Sequence, residues 1–155
     1  MTTVPRLLTS LHHVGLTVSD IERSVRFYRD LLGLELLRRR SADAEYLGQQ
    51  TGYAGVKLEV ASFQLSPDVP QTLELVQYAT HAGGSQPMAT NLAGNAHLCF
   101  CVADLPAAYE LLLTRGVRFR SPPVSITSGP NQGGSAVYLY DPDGFVIEFF
   151  QRPAQ

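Results

Sequence analysis

No apolar run in this 155-residue chain approaches the ~18–20 residues a membrane span requires, and the opening MTTVPRLLTS lacks the apolar core of a signal peptide. The expectation is a cytoplasmic protein. Cysteine is nearly absent: Cys99 and Cys101 are the only two, and on one face of a strand a disulfide between them would be badly strained. Two reduced thiols fit the same compartment. Neither sign of charge dominates, with Lys+Arg 12 against Asp+Glu 14 and a formal net charge of −2, so nothing draws the chain to nucleic acid or to an anionic membrane. The length leaves no room for a cofactor domain beside a substrate domain. What is present, 45% hydrophobic residues with 13 Gly and 10 Pro, describes a folded globular chain with several tight turns.

The chain repeats itself, and a repeat decides the fold. His13-Val-Gly-Leu-Thr-Val-Ser-Asp20 aligns without a gap on His97-Leu-Cys-Phe-Cys-Val-Ala-Asp104, at a constant separation of 84 residues. Each Asp is followed by a helix-like stretch, 21–32 closing at Gly33 and 105–115 closing at Gly116. Asp is a good N-cap and Gly a good C′ residue, so both helices carry matching start and stop signals. Ile21, Val25, Tyr28 and Leu32 in the first, and Leu105, Ala108 and Leu112 in the second, recur at helical spacing and need a sheet to cover. After each helix come β-type runs, at 34–37, 56–63 and 72–77 and then at 117–119, 136–140 and 145–150. Asp141-Pro142-Asp143-Gly144 is a turn, Pro fixing φ and Gly accepting φ > 0. The plan is β-α-β-β-β twice, an α+β fold. One domain over 1–155 is built of modules 10–78 and 95–151, with the polar, Gly-rich stretch 79–95 connecting them. A second such stretch, 121–135, interrupts the second module and is a candidate binding loop.

Side chains alternate along a strand, so the face of each His and Glu is read from its neighbours. His13 shares a face with Leu11, Gly15 and Thr17, opposite the apolar Val14, Leu16 and Val18. His97 shares one with Cys99 and Cys101, Glu74 with Thr72, Val76 and Tyr78, and Glu148 with Val146 and Phe150. Each module therefore offers one His from its first strand and one Glu from its last, all on the face away from the helices. A lone strand His or Glu is usually a solvated residue. Solvated positions have no reason to repeat at equivalent places, and two imidazoles with two carboxylates suit a divalent cation: Ni, Co, Zn, Mn or Fe. His12 falls on the helix side by alternation and pairs with Ala96 in the repeat, while His81 sits in the connection.

His-Val-Gly-Leu-Thr-Val-Ser-Asp from His13, the Tyr28 and Gly33 that follow, Leu73-Glu-Leu and the closing Asp141-Pro-Asp-Gly-(x)3-Glu148 resemble the vicinal oxygen chelate superfamily. That superfamily includes glyoxalase I, methylmalonyl-CoA epimerase, extradiol dioxygenases, fosfomycin-resistance transferases and bleomycin resistance proteins. The resemblance runs from about Leu11 to Gln151. It implies paired βαβββ modules whose curved mixed sheets form a cup, helices outside, around a metal that small substrates reach through neighbouring oxygens. The order His13, Glu74, His97, Glu148 is similar to bacterial glyoxalase I, and the epimerase is close. Dioxygenases and fosfomycin transferases lack the carboxylate at the place of Glu74.

The resemblance implies a divalent-metal-dependent lyase or isomerase of glyoxalase I type, acting through an enediolate. Either Glu148 or Glu74 is then the base, with Glu148, in the more specific motif, favoured. The alternatives are a methylmalonyl-CoA-type epimerase, an extradiol dioxygenase, and a metal-independent drug-binding protein, a class in which the ligands are commonly missing. Tyr138 matches a pocket-lining position of the transferases, and with Tyr78, Phe150 and Cys99 it is a candidate substrate contact on the same face. Arg38, Arg39 and Arg40 are candidates to hold a glutathione carboxylate, although three adjacent arginines are more often a solvated run. A homodimer is expected, because curved sheets leave edges that pairing would cover.

Overall fold

The computed structural model describes residues 7–84 and 89–154. Residues 1–6 of the opening MTTVPRLLTS, residues 85–88 of the expected connection and residue 155 lie outside the described residues. The chain divides into two compact units, one up to Gly83 and one from Gly84 onward.

In the first unit a four-stranded sheet has the order β1-β4-β3-β2, formed by β1 (His13–Thr17), β2 (Leu36–Ala42), β3 (Leu58–Ser66) and β4 (Val69–Tyr78). β1 runs parallel to β4, and the other pairs are antiparallel. Helix α1 (Ile21–Arg26) starts where expected, the Asp20 carboxylate accepting the Arg23 backbone N–H at 2.9 Å. A π-helical segment, Phe27–Leu31, continues it. The wider turn brings Phe27 as well as Tyr28 onto the buried side, and Gly33 at φ +76° ends the element. Ala61, Phe63, Leu73 and Leu75 form the core-facing side of β3 and β4, all fully buried, with the Tyr28 and Phe63 ring centroids 6.1 Å apart.

In this unit one element departs from the β-α-β-β-β expectation: a second helix, α2 (Glu45–Thr51), follows β2. Leu47 is its one buried residue and packs with Val56, Leu58 and Val60. Val60 lies opposite Val76 and Leu58 opposite Tyr78, so this cluster sits on the same sheet face as Glu74. The expectation of helices only on the other face is corrected for α2.

The second unit repeats the order as β5-β9-β8-β6, with β5 (His97–Cys101), β6 (Arg118–Phe119), β8 (Ser135–Tyr140) and β9 (Val146–Gln151). A two-residue strand, β7 (Val124–Ser125), also pairs with β8 and lies within the stretch 121–135. Helix α3 (Leu105–Thr114) is capped by Asp104, which accepts the Ala107 backbone N–H at 2.9 Å. Leu105, Leu112, Val137, Leu139, Ile147 and Phe149 are buried. In the β8–β9 turn the buried Asp141 carboxylate accepts the backbone N–H groups of Asp143 and Phe145 at 2.9 and 2.7 Å, with Gly144 at φ +90°. An acid fixed by two backbone donors holds the entry to β9, and so the register of Glu148, in place.

Candidate active site

The pairing registers set each His beside its Glu. Gly15 lies opposite Glu74 and Cys99 opposite Glu148, so in both sheets the His stands two residues before the one that faces the carboxylate. His13 Nε2 lies 4.0 Å from Glu74 Oε2, and His97 Nε2 lies 3.1 Å from Glu148 Oε2. Both histidine side chains are 44% exposed and both glutamates 21%, so the two positions are equivalent in accessibility as well as in sequence.

Two donors each about 2.1 Å from one cation stand about 3.0 Å apart at a right angle and about 3.4 Å apart at the tetrahedral angle. The 3.1 Å pair already has that spacing, and the 4.0 Å pair is within about 1 Å of it. Nitrogen and carboxylate oxygen are the donors that first-row divalent ions accept. Among the described residues no three His, Cys, Asp or Glu side chains converge, so neither pair alone supplies a usual metal shell.

The surroundings of the two carboxylates differ. Ser62, opposite Glu74 on β3, donates its hydroxyl to Glu74 Oε1 at 3.2 Å. At the matching place beside Glu148 stands Tyr138, whose ring meets the His97 ring edge-on with centroids 5.5 Å apart. Burial first, then the negative charge of Glu148, raises the Tyr138 phenol above its ordinary value, opposed by the positive Arg120. Cys99 is pushed up to about 11, mainly by burial and then by the Glu148 carboxylate, so it stands beside Glu148 as a neutral thiol.

The remaining sequence candidates fall into place around these pairs. Phe150 is half-buried opposite Cys101 and Ala136. Tyr78 packs with the α2 cluster and meets the Tyr53 ring, centroids 5.7 Å apart. Arg38, Arg39 and Arg40 belong to β2, where Arg39 forms an ion pair with Glu22 of α1. His81 Nδ1 lies 3.0 Å from Thr80 Oγ1.

Two neighbours escaped the sequence reading. Alternation assigned His12 to the helix side, but β1 begins only at His13, so nothing imposes the alternation on it. His12 is instead exposed, with its Nδ1 2.8 Å from His13 Nδ1. Ser62 carries no motif, and only the β3–β4 register reveals it. Its signal was the polar side chain placed between buried Ala61 and Phe63.

These features agree with what the chain is similar to. The family model described as Glyoxalase/Bleomycin resistance protein/Dioxygenase superfamily matches residues 10–149. A 2-epi-5-epi-valiolone epimerase from Actinomyces sp is 33% identical over 94% of this chain and 80% of that protein. A lactoylglutathione lyase from Haemophilus influenzae is 30% identical over 90% of both chains. Among solved structures, a glyoxalase family protein from Bacillus cereus matches with a TM-score of 0.82 at 19% identity, over 99% of this chain and 100% of that one, a likeness of fold. The match over nearly the whole chain, together with relatives named as a lyase and an epimerase, leads to one conclusion: the chain belongs to the Glyoxalase/Bleomycin resistance protein/Dioxygenase superfamily.

Proposed function

We propose that the protein is a divalent-metal-dependent lyase or isomerase of glyoxalase I type, with His13, Glu74, His97 and Glu148 as the metal ligands. One observation carries this reading. The two modules present a His–Glu pair at equivalent positions of equivalent strands, with matching exposure and near-ligand spacing. A cation held by these donors supplies positive charge beside the oxygens of a small hydroxycarbonyl substrate, which acidifies the neighbouring C–H.

Glu148 is the base that takes the proton. Glu148 lies 3.1 Å from His97 and is flanked by Tyr138 and a neutral Cys99 thiol, whereas the Glu74 carboxylate also accepts the Ser62 hydroxyl. Its place in the more specific sequence motif, Asp141-Pro142-Asp143-Gly144-(x)3-Glu148, favours it over Glu74 as the base. It returns the proton to the adjacent carbon in a lyase or isomerase. Return to the same carbon makes an epimerase, the second reading, which the 33% identity to the Actinomyces enzyme favours.

The test has two parts. Purified protein dialysed against NiCl2, CoCl2 or ZnCl2 is expected to retain a stoichiometric ion that His13→Ala and His97→Ala both lose; a wild type that retains none overturns the reading. Loaded protein is then incubated in D2O with the hemithioacetal of methylglyoxal and glutathione, and separately with 2-epi-5-epi-valiolone. Solvent deuterium at the carbon beside the carbonyl is expected, and Glu148→Gln should abolish it. Exchange at wild-type rate in that variant removes Glu148 as base.

A further inference from the structure

We infer that the second unit carries an oxyanion-binding subsite, formed by Arg118, Arg120 and Tyr140, which takes a phosphate or carboxylate group on the substrate. The inference rests on the proposed role of His97 and Glu148 for its connection to catalysis, though not for its existence.

The strand alternation of β6 comes first. Phe119 turns toward α3, where its ring meets that of Tyr109 with centroids 4.7 Å apart. Arg118 therefore projects to the opposite face, the one that carries His97 and Glu148, and Arg120, one residue beyond β6, continues the pairing by donating its backbone N–H to Tyr138 O at 2.9 Å and projects with it. The registers then draw two rows across the sheet. One runs from Arg118 through Tyr140 and Val146 to His97, and the other from Arg120 through Tyr138 and Glu148 to Cys99. Adjacent strands lie about 4.8 Å apart, so the Arg120 backbone stands about 10 Å from that of Glu148. A flexible arginine side chain covers more than half of that span, which leaves a gap filled by a small substrate carrying an anionic group a few bonds from its reacting carbon.

The space for it is present. Arg118, Phe119, Arg120, Tyr140 and Ala89 line an open hollow of about 690 Å³. The Arg118 guanidinium carbon lies 4.6 Å from the centre of the Tyr140 ring. Stacking holds the planar group by its face and leaves its N–H edge available for a bidentate oxyanion. Exposed arginines are ordinarily just solvated, but Arg118 and Arg120 line one hollow together and Arg118 is held over the Tyr140 ring. Arg29 and Arg39 are paired with Asp30 and Glu22, whereas among the described residues neither Arg118 nor Arg120 has a carboxylate within ion-pair distance. Two uncompensated guanidiniums aimed into one hollow, on the face of the proposed chemistry, form a site for an anion.

The experiment is a calorimetric titration of the full chain with inorganic phosphate and, separately, with malonate, at low ionic strength and without added metal. Saturable one-to-one binding of at least one probe is expected, weakened at least tenfold in Arg118→Gln and in Arg120→Gln and unchanged in Arg29→Gln. The probe bound more tightly shows whether a phosphate or a carboxylate is preferred. Absence of saturable binding of both probes overturns the inference, as does equal weakening in Arg29→Gln, which would mark a diffuse charge effect. Anion binding retained in His97→Ala is expected, because the subsite does not use the metal pair, and anion binding by a wild type that takes up no metal leaves the subsite standing while it removes the metal mechanism.

Discussion

Gln151 Oε1 accepts the backbone N–H of Leu105 at 2.6 Å, tying the last strand of the second unit to the first turn of α3. The first unit has the same device, Gln77 Oε1 accepting the Ile21 N–H at 2.8 Å. Both donors belong to buried residues at a helix start, where backbone N–H groups have no partner within the helix. Each Gln lies three residues beyond the candidate ligand on its strand, so the contact fixes the helix against the strand that carries Glu74 or Glu148. Gln151→Leu and Gln77→Leu are each expected to cost roughly 1–3 kcal/mol, the usual cost of a buried donor left unpaired. Urea unfolding measures this, and a wild-type midpoint in both variants would show that the contact contributes nothing.

The N-cap of α1 makes stability depend on pH in a defined direction. Asp20 is held below its ordinary value of 3.8, first by the Arg23 backbone N–H and with help from the positive charges of Arg23 and Arg26. A carboxylate depressed in the folded state contributes stability above its unfolded pKa and loses it as pH falls through the folded one. Asp20→Asn keeps an acceptor but removes the charge. The variant is expected to melt below the wild type at pH 7, with the gap closing as pH drops below about 4. A gap that stays constant from pH 7 to pH 3 contradicts this assignment.

Gly134 marks a place where backbone meets backbone. A Cβ there would lie 2.7 Å from Gln151 O and 3.1 Å from Asn131 O, too close for either to remain where it is. Ile126 N–H bonds Gly134 O, and Gly133 N–H bonds Ile126 O, both at 2.9 Å, so the stretch after β7 folds back on the start of β8 through this residue. Gly134→Ala should lower the melting temperature and speed proteolysis between residues 121 and 135. Gly84→Ala, where a Cβ meets nothing within 4 Å among the described residues, is the control expected to leave both unchanged. Equal behaviour of the two variants would mean that the close approach has no energetic weight.

The sequence made the strands and α1 and α3 legible because their signals are local. Asp20 and Asp104 cap, Gly33 and Gly116 terminate, and Leu73 and Leu75 alternate with Glu74. α2 was not legible, because it buries only Leu47 and has no capping side chain at Ala44. Its sole strong mark is Gly52, left-handed at φ +80°. β2 extends through three arginines to Ala42 because it is an edge strand, where one side of the ladder and much of the side-chain surface meet water. The sharing of a face by His13 and Glu74 followed from alternation alone. The Ser62 contact did not, since which β3 residue meets Glu74 depends on strand register. The Arg118–Tyr140 stack depends in the same way on how β6 pairs with β8.

His12 acts on the candidate site through its neighbour. With the two Nδ1 atoms 2.8 Å apart, one ring donates a proton and the other accepts it. When His13 is the donor, its Nδ1 holds the proton and its Nε2, 4.0 Å from Glu74, keeps the lone pair a cation requires. In that arrangement His12 would hold the ligating tautomer of the proposed metal ligand His13 and orient its ring. His97 has Ala96 at the matching position and lacks this support from its neighbour. His12→Ala is expected to weaken Ni2+ or Co2+ binding about 10- to 100-fold, with His12→Gln, whose carbonyl also accepts, recovering part of the loss. Competition titration against a chelator of known affinity gives the number, and unfolding in urea should show both variants as stable as the wild type because His12 is exposed. Wild-type metal affinity in His12→Ala would show that His13 is oriented without this partner.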